Sequence, residues 1–443
     1  MFSRTKVTQE ARPGGMRAVL RNLGWLLASR GVLALFSLLY LAIATRTLGI
    51  QDFGRFALIT GAAQGLATLV GFQTWQVVVR YGTDHLAPGG EKALGRLYRA
   101  CVLLDAGSAL AGIVLAAAIL AIWHERLGIP PALMRDAMIF TVAQLATIRS
   151  AAIGILRLSD RFGQAAAADS VTPLVRLLGA VAAAVFAPTL HAFLWAWSAA
   201  ELATGAAYWW LLVRNGDGAR IWGARLDRRA LASENPQLGR FLLSSNLVSS
   251  LGLATKQVPL LLVGGFAGPA AAGAFRLALQ LAQALAKLAQ LIARAAFPEV
   301  VRAVRRTTPA EIGPVLGRMF LASGSAGLVI LAVIALLGRP VLVLVGGDLA
   351  YAAAYSLLLW LAAAGCIDLA VVAFEPVLLA ANRSATAVAS RAAGIVLQIA
   401  VSLALLPRIG AAGASIGVFA SSLLGALLLG ATVLRYARSG TRA

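Results

Sequence analysis

The sequence predicts an all-α integral membrane protein, with twelve transmembrane helices in two parallel six-helix bundles around a central cavity and both termini in the cytoplasm. Three observations support this fold class. Of the 443 residues, 60% are hydrophobic and only 13% are charged, a composition typical of membrane proteins. Apolar segments of about 20 residues, the length that crosses a bilayer as a helix, recur along the whole chain. Lys and Arg are concentrated in alternate loops between these segments.

Twelve segments are long and apolar enough to span a membrane. They cover residues 23–45, 56–79, 100–122, 137–156, 165–186, 192–213, 241–263, 270–297, 315–337, 351–380, 385–406 and 411–434. The first is expected to remain uncleaved, because its apolar run is longer than a signal-peptide core and contains Arg30. The predicted parts are a cytoplasmic N-terminal segment (1–22), an N-terminal bundle (23–213), a basic cytoplasmic linker (214–240), a C-terminal bundle (241–434) and a cytoplasmic tail (435–443).

The distribution of basic residues orients the chain. The loops assigned to the inside hold 24 Lys and Arg residues, whereas the alternate loops hold six. Basic loops stay in the cytoplasm, so both termini are predicted to be cytoplasmic. In a soluble protein a net charge of +21 would suggest nucleic acid binding, but here the charge follows the topology and no nucleic acid partner is predicted. The linker 214–240 is expected to contact anionic lipid headgroups.

The two halves of the sequence share a short motif. Residues 49–56 and 268–275 both read G-x-x-x-x-G-x-F, with an offset of 219 residues, in the first outside loop of each half. A second similarity, between residues 159–161 and 381–383, has an offset of 222. The glycines permit a tight reversal between helices, and the Phe is expected to anchor near the membrane interface. Parallel repeats of this kind place the substrate between the halves, near the middle of the bilayer.

Residues 45–56, TRTLGIQDFGRF, resemble the aR-x-LG-x-x-x-[FY]G junction of the oligosaccharide flippases. These form the polysaccharide-biosynthesis branch of the multidrug/oligosaccharidyl-lipid/polysaccharide (MOP) exporter superfamily. Phe297-Pro298 and residues 407–414 also resemble sequence patterns of that branch. One departure lies in the seventh span, where this chain has Lys256-Gln257 and many relatives carry an Asp.

The resemblance implies a function. Such proteins work by alternating access in the bacterial cytoplasmic (inner) membrane, and they move an oligosaccharide linked to polyprenyl pyrophosphate from the cytoplasmic to the outer leaflet for surface polysaccharide biosynthesis. The implied partners are this lipid-linked glycan, membrane lipids and a polysaccharide polymerase or export machinery. No cofactor, metal or enzyme activity is predicted.

Charged residues inside the spans are the candidates for substrate binding. Each charge costs on the order of 3 kcal/mol at the middle of a bilayer, so these side chains are expected to face a watery cavity. The predicted cavity cations are Arg30, Arg149, Arg176, Lys256, Arg276, Lys287 and Arg391. Arg and Lys bind phosphate oxygens. Five of them, Arg30, Lys256, Arg276, Lys287 and Arg391, are therefore predicted to form a cradle for the pyrophosphate.

Other polar residues also lie inside the spans. Polar side chains return every three or four positions over 276–294, which places them on one helix face. Gln64, Thr68, Gln280, Gln283 and Gln290 either hydrogen-bond sugar hydroxyls or hold helices together. The acids Asp105, Glu201, Asp368 and Glu375 either form ion pairs or couple transport to protons or cations. Asp368 and Glu375 share a face of the tenth span, which Pro376 is expected to bend.

Three other functional classes compete with the flippase interpretation. A multidrug or cation exporter of the same superfamily usually needs a buried carboxylate early in the first bundle to bind cations, whereas the first span here has no carboxylate and holds Arg30. An unrelated transporter of the major-facilitator type usually has a G-x-x-x-D-R-x-G loop between its second and third spans. Residues 80–96 of this chain lack that motif. A membrane glycan polymerase or ligase commonly has a large outside loop, and all the predicted outside loops are short.

Overall fold

The computed structural model describes residues 15–123, 129–304, 309–380 and 384–439. Side-chain environments are described within 33–122, 129–284, 316–378 and 385–435, apart from residues 34, 254 and 376. This part of the chain contains helices and turns but no strand. The all-helical fold class is therefore confirmed for the described residues.

The helices follow the predicted spans closely. The α-helices of the described part are α1 (Gly15–Val70), α2 (Thr74–Gly82), α3 (Glu91–Trp123), α4 (Pro131–Ala146), α5 (Ser150–Leu158), α6 (Phe162–Phe186), α7 (Leu190–Arg214), α8 (Asp217–Gly223), α9 (Arg228–Glu234), α10 (Leu238–Val304), α11 (Pro309–Gly346), α12 (Tyr355–Ala370), α13 (Phe374–Ala380), α14 (Ser384–Ile409) and α15 (Ala411–Ser439). Within them, nine helical stretches are long and apolar enough to cross a membrane. The twelve separate crossings and the cytoplasmic termini remain predictions.

The two longest helices reverse direction at a glycine. Gly49 in α1 has φ 69° and ψ 174°, and Gly268 in α10 has φ 81° and ψ 176°, a region of backbone space that essentially only glycine occupies. The rings of Tyr40 and Phe56 lie 5.2 Å and 5.1 Å from Trp197. A straight helix would separate these two residues by about 24 Å, so α1 folds back at Gly49.

Two predictions about the repeated motif are wrong. The expected loops 46–55 and 264–269 are almost entirely helical, because one glycine is enough for each reversal. The expected interfacial anchors are also buried, since Phe56 is 6% exposed and Phe275 is 0% exposed. The tight reversal leaves so little chain outside the helices that both rings fall within the packed interior.

Three of the predicted spans are interrupted within the described chain. The second breaks at residues 71–73, the fourth at 147–149 and the tenth at 371–373. In the tenth span the prediction placed the bend at Pro376, whereas the helix ends six residues earlier, at Ala370. Proline has no N–H to donate to the carbonyl four residues before it. The loss of that bond loosens the preceding turn, which explains why the break precedes the proline.

The hydrophobic cores show how the two bundles meet. We call the end of the molecule that contains Gly49 and Gly268 the glycine end, and the end that contains residues 214–240 the linker end. At the glycine end one core joins side chains of both bundles. At the linker end, among the described residues, the N-terminal and C-terminal bundles have separate cores. Among the described residues, one core thus joins the bundles at the glycine end, whereas at the linker end the two cores are distinct and Phe241 and Leu242 of α10 pack against the N-terminal core.

The basic linker is folded against the N-terminal bundle. Asp217, in α8, has no exposed side-chain surface and pairs with Arg161 at 2.7 Å and Arg220 at 3.2 Å. Glu234, in α9, pairs with Arg96 of α3. These ion pairs fix the path of the linker, while basic side chains of residues 225–229 remain exposed and available to lipid headgroups.

Candidate functional site

The first candidate site is a cavity of about 210 Å³ that we call the arginine cavity. It lies among α1, α4, α6 and α7 of the N-terminal bundle and is closed on one side by α10. Its aromatic lining is Tyr40, Phe53, Phe56, Phe140 and Trp197. Its polar lining is Thr60, Gln64, Gln144, Arg149, Thr172, Arg176, Glu201, Arg276 and Gln280.

Glu201 holds two of the three arginines of this cavity. Its side chain is 2% exposed and lies 2.6 Å from Arg176 and 3.2 Å from Arg149. The guanidinium of Arg176 also lies over the ring of Trp197, 5.5 Å from its centre. A buried carboxylate needs such partners, because an unpaired charge in the interior is strongly unfavourable. The pairs position both arginines but leave them partly accessible to the cavity.

Arg276 forms no ion pair with any residue whose side chain the structure describes. It is half-buried on α10, and with the Gln280 amide oxygen turned toward it, it donates two hydrogen bonds of 3.3 Å to that oxygen. The cavity therefore contains three arginines and one glutamate. The surplus of two positive charges lies inside an apolar protein, where an anion would compensate it.

The second candidate site is a cavity of about 660 Å³ inside the C-terminal bundle, which we call the mixed-charge cavity. Its charged lining consists of Lys256, Asp368, Glu375 and Arg391, so its formal charges balance. One Nη atom of Arg391 lies 3.0 Å and 3.2 Å from the two carboxylate oxygens of Glu375. The remaining polar lining is Thr255, Gln283, Ser390, Gln398, Ser421 and Ser422.

The structure divides the predicted cations between these two cavities. Arg149, Arg176 and Arg276 line the arginine cavity, whereas Lys256 and Arg391 line the mixed-charge cavity. Of the five residues predicted to form one pyrophosphate cradle, three have described side chains, and these three do not meet at one site. The side chains of Arg30, Lys287 and Gln290 lie outside the described residues.

The predicted polar stripe of α10 is divided in the same way. Gln280 faces the arginine cavity and Gln283 faces the mixed-charge cavity. Gln64 lines the arginine cavity, but Thr68 lines neither and donates to the backbone oxygen of Gln64 at 3.0 Å. Within its described part, this helix face therefore borders both cavities.

Among the predicted acids, Glu201, Asp368 and Glu375 line cavities, whereas Asp105 lines neither. Both carboxylate oxygens of Asp105 accept from the Thr74 hydroxyl at 2.9 Å. One of them also accepts from the Ala151 N–H at 2.9 Å. These contacts join α3 to the first turns of α2 and α5, beside two of the interrupted spans.

Two glutamines at the site were not among the predicted residues. Gln144 lines the arginine cavity and donates to Glu201 at 3.4 Å. Gln257 donates to Gln64 at 3.0 Å, which links α10 to α1 across the two bundles. Both are polar side chains inside apolar spans, so the sequence alone could have identified them as candidate cavity residues.

Comparisons with known proteins place the chain in a family. Residues 19–304 match a family model described as polysaccharide biosynthesis protein. The chain is 31% identical over 347 residues to inner membrane protein YghQ of Escherichia coli (strain K12), and the match covers 78% of this chain and 97% of that protein.

Solved structures show the same fold. Lipid II flippase MurJ in an inward closed conformation aligns with a TM-score of 0.69 at 10% identity, over 92% of this chain and 87% of that one. An inward-facing multidrug resistance MATE family transporter of the MOP superfamily aligns with a TM-score of 0.65 at 15% identity, over 92% of this chain and 96% of that one. A MOP superfamily transporter from Pyrococcus furiosus aligns with a TM-score of 0.53 at 14% identity, over 95% of this chain and 96% of that one. The chain is thus a multi-pass inner membrane protein that has the MOP superfamily fold and belongs to the polysaccharide biosynthesis protein family.

Proposed function

We propose that this protein is an alternating-access flippase that moves a polyprenyl-pyrophosphate-linked oligosaccharide from the cytoplasmic to the outer leaflet, for surface polysaccharide biosynthesis. The observation that carries this proposal is Arg276, a half-buried cation inside the membrane protein that has no acidic partner among the described side chains. Family membership and the fold shared with a protein named lipid II flippase support the same conclusion.

The charge of the arginine cavity suits a pyrophosphate. This group carries about two to three negative charges, and guanidinium groups bind phosphate oxygens through paired hydrogen bonds. Arg149 and Arg176 share one carboxylate, that of Glu201, so both retain unused N–H donors. Arg276 adds a third donor group from the opposite bundle. A bound pyrophosphate would therefore contact both bundles at once.

The arrangement of the bundles suits loading from the cytoplasm. They share one core at the glycine end and have separate described cores at the linker end. The linker holds six arginines, more basic residues than any other predicted inside segment, and is assigned to the cytoplasm by the positive-inside rule. In this orientation, the protein is closed toward the outside and receives its substrate from the cytoplasmic leaflet. The twelve crossings and cytoplasmic termini are part of this proposal.

Export assays in cells test the proposal. Deleting the gene should cause a lipid-linked glycan to accumulate on the cytoplasmic side, and the wild-type gene should reverse this. Arg276→Ala should reduce export about tenfold or more, because hydrogen bonds between charged groups contribute about 1.5–3 kcal/mol each. Arg276→Lys should retain part of the activity, since it keeps the charge.

Arg408→Ala is the matched control, because Arg408 is an exposed arginine near the end of α14, away from both cavities. Expression of each variant in the membrane is measured in parallel. Normal export by Arg276→Ala, at wild-type expression, contradicts the proposed role of the arginine cavity. A deletion strain that accumulates no glycan but becomes sensitive to cationic drugs instead indicates a multidrug exporter.

A further inference from the structure

We propose that the mixed-charge cavity binds uncharged sugar rings of the transported glycan, beside the arginine cavity that receives the pyrophosphate. This inference rests on the proposed function and adds a second binding site to it. It also changes the role of Lys256 and Arg391, which the sequence suggested as pyrophosphate ligands. Four features support it: the charge balance, two charged side chains without an ion pair to a described residue, the small residues of the lining and the position of the cavity.

The charge balance argues against a second anion site. Two cations and two anions line the mixed-charge cavity, and Arg391 is bound by the carboxylate of Glu375. A phosphate placed there would meet two carboxylates as well as two cations and would gain little from the field of the cavity. An uncharged ligand meets no such repulsion.

Lys256 and Asp368 are available for ligand hydrogen bonds. Both side chains are accessible from the cavity that they line inside the C-terminal bundle. Neither forms an ion pair with a described side chain, and Ser422 and Arg391 are among the neighbours of the Asp368 carboxylate. A carboxylate accepts from up to four donors, and an ammonium group donates three hydrogen bonds. Adjacent sugar hydroxyls, each of which donates and accepts, complement this pair.

Small residues open the space for a ligand with rings. Gly252, Gly365, Gly394 and Gly425 line the cavity together with several alanines and serines. Its volume of about 660 Å³ lies in the range of about 300–1,000 Å³ that is typical of small-molecule sites. The arginine cavity, with about 210 Å³, is below that range and suits a headgroup alone.

The two cavities border the same helix, α10, so their ligand sites are close together. Gln280 faces the arginine cavity and Gln283 faces the mixed-charge cavity, and three residues along a helix span only about 4.5 Å. On the other arm of α10, Lys256 lines the mixed-charge cavity and its neighbour Gln257 bonds Gln64 of the arginine cavity. A pyrophosphate and its first sugars therefore need to cross only one layer of side chains.

Binding measurements on the full-length protein in lipid nanodiscs test this inference. The two probes are farnesyl pyrophosphate and the same molecule carrying one N-acetylglucosamine on its pyrophosphate. Asp368→Asn should weaken binding of the sugar-bearing probe about tenfold, as expected for loss of hydrogen bonds to a charged group. It should change the affinity for farnesyl pyrophosphate less than about twofold. Gln283→Leu, a change of one neutral side chain, should act in the same direction and serves if Asp368→Asn does not fold.

Asp348→Asn is the control, because Asp348 is exposed and its capping of the Ala350 N–H is a role that Asn also fills. Equal weakening of both probes by Asp368→Asn and Gln283→Leu, or no change in either, overturns the inference. So does a changed dependence on proton or sodium gradients with unchanged probe affinity. The proposed function fails separately: it is contradicted if Arg276→Gln leaves the affinity for farnesyl pyrophosphate unchanged.

Discussion

Gly54 and Gly273 lie against each other where the two bundles meet. A Cβ atom on Gly273 would lie 3.0 Å from the backbone nitrogen of Gly54, and a Cβ on Gly54 would lie 1.7 Å from the carbonyl oxygen of Pro269. These are the second glycines of the repeated G-x-x-x-x-G-x-F motif. The first glycine of each copy reverses the chain and the second allows the two backbones to touch. The repeat thus explains how the halves are joined at the glycine end.

Gly54→Ala is expected to separate the bundles at the glycine end. The atom in the way belongs to the backbone, so it cannot rotate aside, and overpacking of a tight contact costs about 1–3 kcal/mol or more. We expect a lower unfolding temperature for the purified protein in detergent. We also expect faster maleimide labelling of Thr45→Cys, since Thr45 is 0% exposed in the closed arrangement.

Gly107→Ala is the control for this experiment. Gly107 is a glycine inside α3, and a Cβ atom added to it would meet no other atom within 4 Å. Alanine also favours a helix more than glycine does. Its unfolding temperature should be unchanged or higher. If Gly54→Ala behaves like Gly107→Ala in both assays, the glycine contact does not hold the bundles together.

Glu201→Gln should make the arginine cavity bind anions more tightly and make the protein less stable. Removing this charge leaves Arg149 and Arg176 without their counter-ion, and breaking a buried pair costs on the order of 3 kcal/mol. The cavity also gains one net positive charge. Thermal unfolding and farnesyl pyrophosphate affinity should therefore change in opposite directions, each measured on the same preparation.

Glu234→Gln is the comparison for the Glu201 variant. Glu234 also pairs with an arginine, Arg96, but their side chains are 23% and 21% exposed and lie in the linker region. We expect a smaller loss of stability and no change in anion affinity. A parallel loss of stability and affinity in Glu201→Gln would mean that Glu201 shapes the site rather than balancing its charge.

Asp217→Asn should release the linker from the N-terminal bundle. Asp217 is fully buried between Arg161 and Arg220, so the substitution leaves two arginines without their carboxylate. Limited trypsin digestion should then cut faster after the exposed residues Arg225, Arg228 and Arg229. Asp84→Asn, at an exposed position outside the linker, should leave the rate unchanged. An equal rate for both variants would show that other contacts hold the linker.

The fold was largely predictable from the sequence, because the membrane requires apolar helices of a certain length and keeps basic loops on the cytoplasmic side. Apolar length determines where a helix can cross, and in the described residues helices cover most of each predicted span. The exceptions have local causes. A single glycine replaces each expected loop, and the tenth span breaks before Pro376. Hydropathy alone does not predict where the backbone reverses or where a helix breaks.

The candidate site was predictable only in part. The cost of burying charge identified Arg149, Arg176 and Arg276 as cavity residues. Their grouping depends on which helix faces meet, and that follows from packing between segments far apart in sequence. Gln280 and Gln283 lie three residues apart on the same arm of α10, yet they line different cavities. Spacing along one helix therefore could not show that the predicted cradle would be divided.

Asp105→Ala should destabilise the protein without changing the ion that drives transport. The carboxylate is 6% exposed and accepts from Thr74 and from the N–H of Ala151, which lies in the first turn of α5. Alanine leaves that buried N–H unpaired, a loss of about 1–3 kcal/mol, whereas Asp105→Asn keeps an acceptor for it and should lose less. Asp52→Asn, in a partly exposed pair with Arg55, should lose little stability. Thermal unfolding measures the stability of the three variants. Transport driven by proton or sodium gradients measures whether the coupling ion has changed. If Asp105→Asn alters the gradient dependence while its unfolding temperature stays at the wild-type value, Asp105 acts in coupling and not in holding the interrupted spans.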